Sequence, residues 1–218
     1  ETTEPSVTKT LHYVFDPLCG WCYGAAAALA ALGKVPEVEL RLLPSGLFAG
    51  AGARLMDDGF AVYAWSNDQR IERLTGQRFS ERYRSHVLSD RQQLFDSGPA
   101  TLALSAVSLF TPERELDALE AIQHARYVNG EDITQADTLM AVLQALGLEQ
   151  AAASLLRSDG ELLAANRSRI EGAKALQSQL GARGVPSFIL ETNGQRQLLN
   201  SSAAYSNPQA FAEQLSAA

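Results

Sequence analysis

The sequence has very few cysteines: Cys19 and Cys22 are the only two among 218 residues. Two cysteines are too few for a disulfide-stapled scaffold. An apolar core must therefore hold the fold, and the 46% of apolar residues is sufficient for one, which excludes global disorder. Since no other thiol is available to either cysteine, we predict that the two act together.

Basic residues and long apolar runs are also lacking. Lys and Arg number 18 against 25 Asp and Glu, a net charge of −7. Nucleic-acid-binding domains usually carry a basic excess, so a nucleic-acid partner is disfavoured. No apolar run approaches the roughly 18 residues that a membrane-spanning helix needs, so we predict no membrane insertion.

Strand signals are confined to the two ends of the chain. Four segments have strand composition: 11–15, 38–43, 187–190 and 195–199. An Ala-rich helix over 19–32 joins the first two, a spacing typical of a parallel pair with a crossover helix. Asn193-Gly194 predicts a hairpin between the last two, and Asn207-Pro208 opens a final helix. Because neither end can bury a core alone, we predict that both contribute to one sheet.

Between these ends, from about 55 to 181, helix signals follow one another and no convincing strand is predicted. Asp132 with Gln135, and Ser158 with Glu161, resemble capping boxes that start two of the helices. The outline is therefore βαβ, a helical block, then ββα, which is an α/β fold class.

The chemistry is concentrated at Cys19-Gly20-Trp21-Cys22, between a strand end and a helix start. A thiol at a helix N-terminus meets unpaired N–H groups and the positive end of the helix dipole, and both favour the thiolate. Cys22 lies about one turn further on, within reach of the Cys19 sulfur but deeper in the helix. We predict that Cys19 attacks and that Cys22 resolves the mixed disulfide.

Two other functions of a CxxC pair remain open: half of a zinc site, or an inert disulfide. Tetrahedral zinc needs four ligands, and the three histidines His12, His86 and His124 match no ligand spacing, so no metal is predicted. An inert disulfide closing so short a ring would gain little loop entropy. The redox pair is the favoured interpretation.

The neighbours of the cysteines leave further alternatives. Gly20-Trp21 carries no positive charge, so we expect an intermediate reduction potential for the cysteine pair. Trp21 either lies exposed as an apolar contact for substrate or packs on the helical block. Asp16 either accepts a proton or caps the helix, and the cap is favoured. The aromatic residues Phe60, Tyr63 and Trp65 are predicted to be core residues or a groove wall over the CxxC.

The stretch Asp16-Pro17-Leu18-Cys19-Gly20-Trp21-Cys22-Tyr23-Gly24, with Gly184-Val185-Pro186-Ser187-Phe188 before a late strand, resembles the DsbA-like branch of the thioredoxin superfamily. Within that branch it is most similar to the FrnE-type predicted disulfide isomerases, over roughly 11–216. The resemblance implies a discontinuous thioredoxin domain, 8–45 plus 182–216, with an all-helical domain inserted at 55–181. It also implies that Pro186 is a cis-proline facing the CxxC and that Val185 and Pro186 contact substrate.

The expected function is that of a thiol–disulfide oxidoreductase or isomerase acting on thiol- or disulfide-containing proteins. We expect no cofactor beyond the redox-active disulfide. Glutathione is a candidate reductant, and we also expect a redox partner, which the sequence does not identify. The alternatives are a kappa-class type of glutathione-linked transferase or isomerase with a small substrate, and a non-catalytic binding module. The resemblance slightly favours the cytoplasm, with the periplasm as the alternative.

Overall fold

The computed structural model describes residues 8–217. Within them the chain forms six strands: β1 (Lys9–Phe15), β2 (Val38–Pro44), β3 (Arg54–Leu55), β4 (Leu94–Phe95), β5 (Ser187–Thr192) and β6 (Gln195–Leu198). The α-helices are α1 (Gly20–Gly24), α2 (Ala26–Leu32), α3 (Asp58–Thr75), α4 (Glu81–Tyr83), α5 (Gly98–Phe110), α6 (Glu115–Tyr127), α7 (Ala136–Ala145), α8 (Glu149–Arg157), α9 (Gly160–Gln179), α10 (Ser202–Ser206) and α11 (Pro208–Ala217).

The two ends of the chain form one four-stranded sheet, as predicted, and its strand order is β2-β1-β5-β6. β1 runs parallel to β2, with Tyr13 opposite Leu42. On its other edge β1 runs antiparallel to β5, where Tyr13 faces Phe188. All seven residues of β1 are buried, because this strand has neighbours on both edges and layers on both faces.

Side chains that alternate along the strands divide between two layers. Val14 and Ile189 point to one face and pack with Ala173 and Leu176 of α9. Phe188 points to the other face, where its ring meets Phe211 of α11 at 5.2 Å between centroids. The sheet is thus covered by the insertion on one side and by the terminal helices on the other.

The predicted helical insertion is confirmed: α3 to α9 lie between β2 and β5 in the chain. Arg169 on α9 ties this insertion to the sheet. Its guanidinium donates to both carboxylate oxygens of Glu115, at 2.8 and 2.6 Å, and to the Leu42 carbonyl oxygen at 3.0 Å. No helix among residues 8–217 is long and apolar enough to cross a membrane. The division into two domains at 8–45 plus 182–216 and 55–181 stays a prediction.

The expectation of no strand inside the helical block is wrong at one place. β3 and β4 pair antiparallel, with Arg54 opposite Phe95 and Leu55 opposite Leu94. Strands of two residues are too short to leave a periodic pattern in the sequence, so only the tertiary contact reveals them.

Both predicted capping boxes are also wrong. Ser158 has a left-handed backbone (φ 47°) and ends α8, while Asp159 caps α9 by accepting from the Leu162 N–H at 3.0 Å. Asp132 accepts from the Thr134 N–H in a local turn, and α7 begins only after Gln135, which makes no side-chain cap. Asp and Ser side chains make hydrogen bonds to the backbone in turns as readily as at helix starts, so the capping-box pattern does not distinguish the two.

Candidate active site

The CxxC pair lies where the sequence places it, between the end of β1 and the first turn of α1. Cys19 is the N-cap of α1, and its sulfur accepts a hydrogen bond from the Cys22 N–H at 3.4 Å. Because four N–H groups at a helix start have no intrahelical partner, this sulfur meets a donor that would stabilise negative charge. The first turn of α1 thus places the Cys19 sulfur against a backbone N–H donor.

The two thiols differ in access. Both are free in the structure; Cys19 is 8% exposed and Cys22 is fully buried. Burial raises the pKa of the Cys22 thiol well above its usual value, and its interaction with Cys19 raises it further. Cys22 therefore stays protonated while Cys19 is the thiol that an incoming molecule reaches.

The loop before β5 closes over Cys19. The Cys19 thiol donates to the Val185 carbonyl oxygen at 3.6 Å, and the Val185–Pro186 peptide bond is cis. Trp21 is half-buried, and its ring packs edge-on against Tyr205 of α10 at 5.1 Å between centroids. Val185, Pro186, Trp21 and Tyr205 together line a shallow groove beside the cysteines.

Asp16 does not cap the helix, so that prediction is wrong. Its carboxylate is fully buried and accepts from the Leu18 N–H at 2.8 Å, the Phe48 N–H at 3.1 Å and the Ser97 hydroxyl at 2.7 Å. Burial raises the pKa of Asp16, and these hydrogen bonds oppose the rise. Asp16 instead connects the loop before the CxxC to two remote segments, which no local pattern could indicate.

A cavity of about 390 Å³ opens beside Cys19, between the CxxC and the helical insertion. Phe60 and Tyr63 line it and so form the groove wall that was one of the two alternatives for them. Trp65 lies outside, where the Arg84 guanidinium covers its ring at 4.9 Å from the centroid. Gly20, Trp21 and Val185 complete the side of the cavity nearest the cysteine.

Among the polar residues that line this cavity, Asp68, Tyr83 and Arg126 carry no signal in the sequence. The Tyr83 hydroxyl donates to Asp68 Oδ2 at 2.6 Å. Burial raises the pKa of Asp68 to about 7, with the Tyr83 hydrogen bond opposing the rise. They stand on α3, α4 and α6, so no spacing in the sequence could have grouped them.

His12, which the sequence analysis weighed as a zinc ligand, is buried on β1 with its Nε2 at 3.7 Å from Glu191 Oε2. Across residues 8–217 no group of three or more His, Cys, Asp or Glu side chains is arranged to hold a metal ion. The structure thus brings neither His86 nor His124 to the two cysteines.

This architecture, with a CxxC at the first turn of a helix after the central strand, is that of the thioredoxin-fold thiol–disulfide oxidoreductases. The chain belongs to the family of the DSBA-like thioredoxin domain, whose model matches residues 10–215. No curated protein matches the sequence.

Solved structures extend the comparison. The chain is similar to the cytosolic disulfide reductase DsbM from Pseudomonas aeruginosa, with 34% identity, a TM-score of 0.85 and coverage of 95% of this chain and 97% of that one. A structure of the same reductase with GSH gives 33% identity, a TM-score of 0.84 and coverage of 95% and 98%. A putative protein disulfide isomerase from Nitrosomonas europaea shares the fold at 23% identity, a TM-score of 0.77 and 95% coverage of both chains.

Proposed function

We propose that the chain is a disulfide reductase that passes electrons from glutathione to disulfides through Cys19 and Cys22. The observation that carries the proposal is the unequal access of the two thiols, because thiol–disulfide exchange needs one reachable thiolate and one protected resolving thiol. The similarity to a disulfide reductase, and to its structure with GSH, supports this direction of electron flow.

The proposed reaction is a sequence of exchanges in which each step forms one S–S bond and breaks another. The Cys19 thiolate attacks a substrate disulfide, and the substrate sulfur that leaves takes the electron pair. Cys22 then attacks the Cys19 sulfur; its proton goes to the second leaving thiolate, and the Cys19–Cys22 disulfide forms. The substrate has gained two electrons and two protons, one proton from Cys22 and one from the solvent, which took up the proton of Cys19 when that thiol ionised.

Glutathione restores the dithiol in the same way. One glutathione thiolate attacks the Cys19 sulfur and releases Cys22, and a second attacks the glutathione sulfur of the mixed disulfide. Oxidised glutathione leaves and Cys19 is again a free thiol. Attack at Cys19 rather than at Cys22 follows from the complete burial of Cys22.

We assign substrate contact to the groove of Trp21, Val185 and Pro186. Cys19 already meets the Val185 carbonyl oxygen, so a peptide lying along this backbone would bring its disulfide to the attacking sulfur. Trp21 and Tyr205 supply the apolar wall. Disulfide-containing proteins are therefore the proposed substrates, with glutathione as the electron donor.

The decisive experiment uses matched Cys19→Ser and Cys22→Ser variants in glutathione-dependent reduction of insulin. Cys19→Ser should abolish turnover, whereas Cys22→Ser, mixed with insulin without glutathione, should stop after the first step and accumulate a mixed disulfide at Cys19, visible by mass spectrometry. Full activity of Cys19→Ser would refute the proposal.

The reduction potential of the Cys19–Cys22 disulfide tests the direction of electron flow. A value near the ~−270 mV of thioredoxin supports the reductase. A value above about −200 mV, together with refolding of a scrambled protein, would instead support an isomerase of the FrnE type.

A kappa-class type of reaction is the second candidate, favoured by the cavity beside Cys19, which is large enough for a small substrate. Saturable turnover of a small electrophile with glutathione that survives Cys22→Ser would select it. A reductase loses multiple turnovers with protein disulfides in the same variant, so one pair of assays separates the two functions.

A further inference from the structure

Arg126 is a buried cation that forms no ion pair. It is 2% exposed, and none of the salt bridges found among residues 8–217 includes it. Its Nε has no hydrogen-bond partner. Because a buried charge is costly unless it is paired, a guanidinium in this state favours any anion that can reach it.

The surroundings of Arg126 stabilise it only partly. Its Cζ lies 5.5 Å from the ring centroids of Tyr83, Phe95 and Tyr127. Cation–π contacts of this kind hold a guanidinium in place but satisfy none of its five N–H donors. The Nε of Arg126, which has no partner, therefore remains available to a ligand within the cavity that this residue lines.

Four polar groups interact with Arg126: the Asp68 and Asp16 carboxyls and the hydroxyls of Tyr83 and Tyr127. The Asp16 carboxylate is already held by two backbone N–H groups and the Ser97 hydroxyl. Asp68 is held by the Tyr83 hydroxyl and, with its pKa raised to about 7, is only partly ionised near neutral pH. Both tyrosines keep their protons, since burial raises their pKa well above the usual value. Asp68, the carboxyl that lines the cavity, thus compensates the Arg126 charge only in part.

Cys19 lines the same cavity of about 390 Å³. A ligand whose sulfur meets Cys19 can therefore place another of its groups against Arg126. A planar guanidinium matches a carboxylate with two parallel hydrogen bonds. The aromatic lining, including Phe48, Phe60 and Phe95, suits the carbon skeleton of a small organic thiol.

We infer that Arg126 is a specificity-determining residue that binds a carboxylate of the small thiol reacting with Cys19, so that carboxylate-bearing thiols of the glutathione class are selected over uncharged ones. This inference rests on the proposed function, since it needs Cys19 to exchange with a low-molecular-weight thiol. It adds a carboxylate subsite for the electron donor at Arg126, in a cavity that shares Trp21 and Val185 with the groove assigned to protein substrates.

The test measures how fast three disulfides oxidise the reduced protein. They are oxidised glutathione, its tetraethyl ester, which lacks the carboxylates, and the uncharged 2-hydroxyethyl disulfide. Each is followed in single turnover with the wild type, Arg126→Met and Arg126→Lys. Arg84→Met is the matched control, because Arg84 also packs on an aromatic ring but lines a different pocket.

The wild type should prefer oxidised glutathione over its ester by about 10- to 100-fold, the range of a charge-assisted hydrogen-bond pair. Arg126→Met should bring the ratio of the rates with oxidised glutathione and its ester close to one, a ratio that is taken within one variant. Arg126→Lys should keep part of the preference for oxidised glutathione over its ester, and Arg84→Met should keep all of it.

Equal rates of the wild type with glutathione disulfide and its ester would overturn the inference, and this comparison needs no variant to fold. So would an Arg126→Met protein that slows with all three disulfides alike, since that shows a structural role only. Failure of 2-hydroxyethyl disulfide to oxidise the wild type would instead refute the proposed function, which keeps the two failures distinct.

Discussion

The Tyr127 hydroxyl donates a hydrogen bond to the Leu18 carbonyl oxygen at 2.9 Å. This bond joins α6 of the helical insertion to the residue that precedes Cys19. The Tyr127 ring also stacks on Tyr23, which follows Cys22, at 4.5 Å between centroids. One side chain of the insertion therefore holds both sides of the CxxC, and the next residue in the sequence, Arg126, lines the adjoining cavity.

Tyr127→Phe should weaken this attachment. The substitution keeps the ring contacts but leaves the Leu18 carbonyl oxygen buried without its donor, which costs about 1–3 kcal/mol. Urea unfolding measures the loss. Tyr63→Phe is the control, because Tyr63 is 68% exposed and its change should stay within about 0.5 kcal/mol. Equal effects of the two substitutions would contradict the role of the bond.

Alkylation of the reduced protein should distinguish the cysteines. Iodoacetamide reacts with thiolates, so at neutral pH it should modify Cys19 at least tenfold faster than Cys22, which is fully buried and whose pKa is raised. Peptide mass spectrometry at timed quenches gives both rates. In denaturant the two rates should converge; convergence under native conditions as well would show that Cys22 is not protected.

Asp68→Asn should change how stability depends on pH. The pKa of Asp68 is about 7 in the fold, above its ordinary 3.8, so its protonated form is the one that the folded state favours. The contribution of protonated Asp68 to the free energy of unfolding is fully present below pH ~4 and is lost as the pH rises through 7. Relative to wild type, Asp68→Asn should therefore gain stability between pH 4 and 8, up to about 4 kcal/mol.

Chemical unfolding of both proteins across this pH range checks the sign. Asp137→Asn is the control, because it makes the same chemical change at an exposed position of α7. A stability difference between Asp68→Asn and the wild type that does not change with pH would mean that the buried carboxyl titrates normally.

Gly20→Ala, at the first residue of α1, should lower the free energy of unfolding. A Cβ at this position would lie 2.7 Å from Asp68 Oδ1 and 3.0 Å from Ile71 Cδ1, and α3 cannot retreat without disturbing the Tyr83 bond. We expect a loss of about 1–3 kcal/mol from overpacking. Gly33→Ala is the matched control, since a Cβ there has nothing nearer than 3.5 Å and should change stability by under about 1 kcal/mol.

The site could be predicted from the sequence only where its chemistry is local. The spacing of Cys19 and Cys22 before a helix indicated their placement, and strand composition indicated the sheet. Asp16 was misassigned because its partners Phe48 and Ser97 belong to remote segments. Asp68 and Arg126 gave no signal at all, since each is an ordinary charged residue on a helix until packing buries it.

The central strand β1 has one neighbour close in the chain, β2, and one near its other end, β5. During synthesis β1 and β2 leave the ribosome early, while the whole helical insertion must follow before β5 can pair with Tyr13 and its neighbours. Until then the growing chain carries an unpaired apolar strand edge, which is a template for association with other nascent chains. We therefore expect that the nascent chain needs this strand edge to be shielded until β5 has left the ribosome. We also expect the folding rate to be limited by the pairing of β1 with β5, two strands that lie far apart in the sequence.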